Sequence, residues 1–90
     1  MKTIEIREAT PEQLARMRFT YRKAFEVSKD KRQALATALG IEQVIAEHPA
    51  MNPFSQEARD LISAARDASI AVLHSFKLKD LNTAFADIVG

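Results

Sequence analysis

The chain has 90 residues, a formal net charge of +1 and no cysteine, and it contains only two glycines and three prolines. This length allows one small domain. The composition excludes a disulfide framework, a thiolate metal site and a glycine-rich phosphate-binding loop. Alanine is abundant and glycine is scarce, which favours helix because alanine loses the least side-chain entropy there. We therefore predict one all-α domain over residues 1–90, a small bundle of four to five helices.

The N-terminal segment is the one strand-like part of the sequence. Ile4 and Ile6 alternate with the polar residues Thr3, Glu5 and Arg7, which is a period of two. We predict an extended N-terminal arm or single short strand over residues 1–9, lying over the helices of 10–90. Two alternatives are pairing with the same strand of a second subunit and addition to the sheet edge of a partner. The segment lacks the apolar stretch of a secretory signal, so we expect a cytoplasmic protein.

The first helix is predicted to begin after Thr10 and to run to about Lys29. Thr10 is a capping residue, Pro11 suits the first turn, and Gln13 lies three residues after the cap. Its apolar stripe consists of Leu14, Met17, Tyr21, Ala24, Phe25 and Ser28. Phe19 and Val27 fall outside this stripe. We expect Phe19 to be covered by the arm or exposed for a partner.

The next segment predicts two short helices, 34–39 and 41–47. Asp30 is expected to cap the first and Gly40 to end it, and Pro49 ends the second. The small residues Ala36 and Gly40 stand four apart, among apolar residues at 35, 39 and 41. The segment therefore resembles part of a helix-turn-helix motif. The resemblance implies a recognition helix over 42–47, yet this helix would carry two glutamates and no lysine or arginine, which opposes contact with phosphates.

The second half of the chain predicts a loop over 49–53 and two further helices. Ser55 is expected to cap the longest helix, and a last helix is expected over about 80–89. The long helix has a broad apolar stripe of Ala58, Leu61, Ile62, Ala65, Ala68, Ser69, Val72, Leu73 and Phe76. Because this stripe is wide and rich in alanine, a homodimer is a further expectation.

The charges divide unevenly along the chain. Residues 1–32 hold nine Lys or Arg and five Asp or Glu, whereas residues 33–90 hold four and seven. No nucleophile motif is present, and Asp60, Asp67 and His74 are spaced about 10.5 Å apart along a helix, too far to share one metal ion. We expect no catalytic residue, no metal and no cofactor.

These observations predict a small non-enzymatic module that binds a larger protein, as an adaptor, an inhibitor or an assembly subunit. The alternative is a DNA-binding transcriptional regulator with a degenerate helix-turn-helix at about 32–48. The predicted partner-binding residues, all basic or apolar and outside the core stripe, are Arg16, Phe19, Arg22, Lys23, Val27, Lys31 and Arg32.

Overall fold

A computed structural model describes residues 9–89, and the predicted arm over 1–9 lies outside these residues apart from Ala9. Over this range the chain forms five α-helices and no strand, which confirms the all-α prediction. The helices are α1 (Pro11–Ser28), α2 (Lys31–Glu47), α3 (Gln56–Leu73), α4 (Leu78–Ala84) and α5 (Ala86–Val89). None of these helices is long and apolar enough to cross a membrane.

Side-chain caps fix the starts of the three long helices, as the sequence predicts. Thr10 accepts a hydrogen bond from the backbone of Gln13, whose side chain accepts one in return from the Thr10 backbone N–H. The side chains of Asp30 and Ser55 accept hydrogen bonds from backbone N–H groups in the first turns of α2 and α3. Each cap satisfies donors that would otherwise lack a partner at a helix start.

The prediction of two short helices over 34–39 and 41–47 is wrong, because residues 31–47 form one continuous helix. Gly40 lies inside this helix and has no positive φ, so it is not a C-terminal cap. Its role is packing: a Cβ at this position would lie 2.9 Å from the backbone nitrogen of Arg66 on α3. The glycine therefore permits close approach of two helix backbones. The predicted helix-turn-helix at 32–48 has no turn.

α2 is the central helix, because both α1 and α3 pack against it. It is buried on most of its circumference, as expected of a helix with neighbours on several sides. Leu35 and Leu39 join the core with Met17 and Tyr21 of α1. Small buried side chains on α2 let the neighbouring helices come close; they are Ala34, Ala36 and Ala38.

The apolar stripe of α3 is narrower than predicted. Ala58, Ala65 and Leu73 are buried, whereas Ala68 is exposed and Val72 is 53% exposed. The reason is that α2 is the neighbour with extensive contact to α3, and a single neighbour covers a limited arc. The outer side of α3 therefore carries apolar side chains to the surface.

The C-terminal segment is divided between α4 and α5, where the sequence predicts one helix. Phe85 interrupts the helix with φ −118° and ψ 30°. Its ring lies edge-on to Phe76 at 6.2 Å between centroids, and Leu81 and Ile88 enter the core. α5 also contacts α1, so the C-terminal segment helps to fix the helix that carries most of the predicted site.

Candidate protein-binding surface

The seven residues predicted to bind a partner lie on two adjacent helices. α1 carries five of them, and the first turn of α2 carries two. Met17 and Tyr21 are buried on one side of α1, so the opposite side of the helix faces outward. Some of the seven residues lie on this outer side, and others contact residues of neighbouring elements. They are Arg16, Phe19, Arg22, Lys23 and Val27 on α1, and Lys31 and Arg32 on α2.

An aromatic ring stands at the centre of the outward side of α1. We define the α1 outer face as the exposed side chains of Ala15, Arg18, Phe19, Arg22 and Lys23. Phe19 is 65% exposed and lies one helical turn from Ala15 on one side and from Arg22 and Lys23 on the other. The Lys23 ammonium is 5.8 Å from the centroid of the Phe19 ring, within the range of a cation–π contact. This contact favours one position of the ring on the helix surface.

The α1 outer face is basic at its centre. Among the residues from 9 to 89, Arg18, Arg22 and Lys23 form no ion pair. Glu12 and Glu26 lie on the same side of α1, about two turns before and after Phe19. The positive charge is therefore concentrated around the ring and is bounded by carboxylates towards both ends of the helix.

Arg16 makes a contact that the sequence did not predict, because it forms an ion pair with a residue of α2. Its Nε and Nη2 donate to the two carboxylate oxygens of Glu42 on α2, at 2.8 and 2.7 Å. Glu42 is 1% exposed, whereas half of the Arg16 side chain remains in contact with solvent. The hydrogen bond to Glu42 raises the pKa of the Arg16 guanidinium above its ordinary value. Sequence periodicity missed this pair because its members are 26 residues apart.

Lys31 and Arg32 also make internal contacts that the sequence did not predict. The Lys31 ammonium donates to Oδ1 of Asn82 at 2.7 Å, and Nη2 of Arg32 donates to the carbonyl oxygen of Phe76 at 2.8 Å. Both residues thus tie the start of α2 to the C-terminal segment. Val27 is 87% exposed near the end of α1, as its place outside the apolar stripe predicts.

Exposed apolar residues outside α1 were missed by the sequence analysis. Phe54 in the loop between α2 and α3 is 82% exposed, and half of Leu78 is exposed. The exposure of Phe54 could have been inferred from its position directly after Pro53, in a loop where helical periodicity does not apply. Phe54 is therefore a second exposed aromatic ring. Unlike Phe19, it lies in a loop and not on a helix face that also carries cations.

A shallow, open depression of about 480 Å³ lies against the loop between α2 and α3, and His48 and Glu57 are its titratable lining residues. From residue 9 to residue 89, no three histidine, aspartate or glutamate side chains lie close enough together to hold a metal ion.

Two residues of the helix over 42–47, the recognition helix of the alternative DNA-binding interpretation, are buried. Glu42 and Gln43 are buried in α2, and the Gln43 side chain donates to Glu47 at 3.3 Å. A recognition helix must present its side chains to the major groove, and these two do not reach the surface. The comparisons with known proteins provide no analogy: no family model, curated protein or solved structure matches the chain.

Proposed function

We propose that this protein is a small, non-enzymatic, cytoplasmic interaction module that binds a larger protein through the α1 outer face. The single observation that supports the proposal is the exposed ring of Phe19, surrounded by Arg18, Arg22 and Lys23 on a well-packed helix. Adaptors, inhibitors of larger enzymes and assembly subunits all use surfaces of this kind.

Burial of the exposed Phe19 ring against a partner would stabilise the complex. Full burial of a phenylalanine side chain contributes about 1.5–3 kcal/mol relative to leaving it in water. Aromatic side chains and arginine are enriched among the residues that dominate binding energy at protein interfaces. The helix holds Phe19 in place before binding, so little backbone entropy is lost when a partner packs on it.

The experiment is affinity capture with the full chain as bait, in three forms. The first is the wild type, the second carries Phe19→Asp, and the third carries Phe54→Asp as a matched control. Both phenylalanines are exposed, so both variants should keep wild-type helical content in circular dichroism. The control introduces the same negative charge and removes an equally large ring from a different surface.

We expect a protein that is retained by the wild type and by Phe54→Asp, and lost with Phe19→Asp. Titration of the purified retained protein should then show a dissociation constant raised at least about tenfold by Phe19→Asp. Retention that does not depend on Phe19, or the absence of any specifically retained protein, would contradict the proposal.

DNA binding is a second candidate, now supported only by the cations of α1. Arg18, Arg22 and Lys23 lie within two turns and could contact phosphates, although Glu12 and Glu26 on the same side oppose this. The test is fluorescence anisotropy of a labelled duplex with wild type and with Arg22→Glu combined with Lys23→Glu. Binding that falls steeply with salt and is reduced by the substitutions supports this function, and no binding at low salt ends it.

A further inference from the structure

The exposed side of α3 carries the opposite charge to the α1 outer face. We define the α3 outer face by its exposed carboxylates, Glu57, Asp60 and Asp67, and by its exposed alanines, Ala64, Ala68 and Ala71. These positions fall on one side of the helix at 100° per residue. The inner side is different, since Ala58, Ala65 and Leu73 are buried there.

The α3 outer face contains no lysine or arginine. The two arginines of α3, Arg59 and Arg66, are seven residues apart and lie on another side of the helix. Asp60 accepts a hydrogen bond from Gln56 at 3.0 Å. Asp67 is 3.7 Å from the Arg66 guanidinium, and 71% of its side chain is exposed. These contacts are long or involve a neutral group, so the carboxylates keep most of their charge at the surface.

The side chains of the two outer faces differ in size. The α1 outer face has a projecting ring, Phe19, between its cations. The α3 outer face is low, because Ala64, Ala68 and Ala71 have only methyl side chains. Asp60 and Asp67 are about 10.5 Å apart along α3, and Arg18 and Lys23 are about 7.5 Å apart along α1. A ring placed on the alanines would therefore lie between carboxylates that the surrounding cations can reach.

Within one chain these two faces do not meet. α1 and α3 both pack against α2, and neither forms an extensive contact with the other. The α1 outer face points away from the residues that α1 buries, and the same is true of α3. Glu12 and Glu26 lie about two turns from Phe19, so the basic part of α1 that can face the α3 carboxylates is limited to its central turns.

We propose that the α1 outer face of one molecule docks on the α3 outer face of a second copy of this chain. This inference shares the α1 surface with the proposed function, and a second copy would compete there with a larger partner. The contact is heterologous, so a pair leaves one α1 face and one α3 face open, and assembly continues or closes into a ring. The interface is small and charged, so we expect a dissociation constant on the order of 100 µM that rises with salt.

The experiment is sedimentation velocity of the full chain at concentrations up to about 1 mM in low salt. The wild type and the control Phe54→Asp should sediment faster as concentration rises, and Phe19→Asp should not. Two charge variants test the pairing directly. One carries Arg22→Glu with Lys23→Glu, and the other carries Asp60→Lys with Asp67→Lys. Each alone should associate at least about tenfold more weakly than wild type, because its two faces then repel.

An equimolar mixture of the two charge variants should associate again, since the acidic α3 face of the first matches the basic α1 face of the second. Combining all four substitutions in one chain should restore self-association in the same way. A wild type that stays monomeric at the highest concentration overturns this inference, and so does a mixture that shows no recovery. Capture that depends on Phe19 would still support the proposed function, so the two failures are distinguishable.

Discussion

Replacing Arg16 by methionine isolates the one buried carboxylate on α2. Within residues 9–89, Arg16 is the sole donor of hydrogen bonds to the Glu42 side chain, through two contacts of 2.8 and 2.7 Å. Glu42 is 1% exposed, so Arg16→Met would leave its negative charge in the protein interior without a partner. Methionine keeps much of the length and packing of the arginine stem.

The magnitude follows from the burial of the two groups. Removing one partner of a fully buried ion pair costs about 3–5 kcal/mol. Half of the Arg16 side chain faces solvent, so water can partly replace it, and we take about 2–3 kcal/mol for Arg16→Met. Since a domain of this size changes its melting temperature by about 4–8 °C per kcal/mol, we expect a decrease of about 8–24 °C.

The two partners should behave unequally. Glu42→Met leaves Arg16 without its partner, but the arginine is half exposed and can turn towards water, so the expected loss is about 1 kcal/mol or less. The double variant has no charge at either position of this pair and should be more stable than Arg16→Met alone. Replacing a buried ion pair by apolar groups is often nearly neutral.

The assay is equilibrium urea unfolding of all four proteins, followed by far-ultraviolet circular dichroism, with the slope against urea compared between them. A cost below about 1 kcal/mol for Arg16→Met would contradict this prediction, because it would place Glu42 in effective contact with water. The prediction is also contradicted if adding Glu42→Met to Arg16→Met restores none of the stability that Arg16→Met loses.

Three further predictions concern local geometry. Gly40→Ala should destabilise by about 1 kcal/mol in urea unfolding, because a Cβ 2.9 Å from the Arg66 nitrogen outweighs the gain in helix propensity; a stabilised variant would contradict the close approach. Lys29→Gly should stabilise by about 1 kcal/mol in the same assay, because Lys29 has φ 56° where glycine is unstrained; a loss would contradict this. Burial raises the pKa of Tyr21 above 10.0, so the unfolded chain releases this proton first. The contribution of Tyr21 to the free energy of unfolding should be fully present below pH 10.0 and be lost as pH rises through the folded pKa. Because this is the sole tyrosine, tyrosinate absorbance should appear at a higher pH in the folded protein than in the unfolded chain, or only on unfolding.

The sequence predicts the starts of the three long helices and the exposure of Phe19 and Val27, because these depend on neighbours within one turn. Thr10, Asp30 and Ser55 cap helices through hydrogen bonds to groups two or three residues away. Phe19 and Val27 are exposed because their positions on the helix place them away from Met17 and Tyr21. The bundle class follows from the same local rules.

The placement of the predicted site residues could be foreseen only in part, because charge alone does not say which groups a side chain contacts. Arg22 and Lys23 lie on the exposed face of α1, as their periodicity predicts. Arg16 and Arg32 look the same in the sequence but bind Glu42 and the Phe76 carbonyl, which are 26 and 44 residues away. No pattern within a helix reports a contact over such separations.

Gly40 shows where the division between sequence and tertiary structure lies. By itself the sequence determined that the chain is helical, where three helices begin, and that an aromatic ring stands outside the core stripe, since backbone capping and periodicity are local. In the sequence, a glycine after an alanine-rich run looks the same whether it ends a helix or lies inside one. Only the tertiary structure decided that α2 continues through it, because the reason for the glycine is the backbone of Arg66 on another helix. The same packing decided which charged faces, on α1 and on α3, remain at the surface.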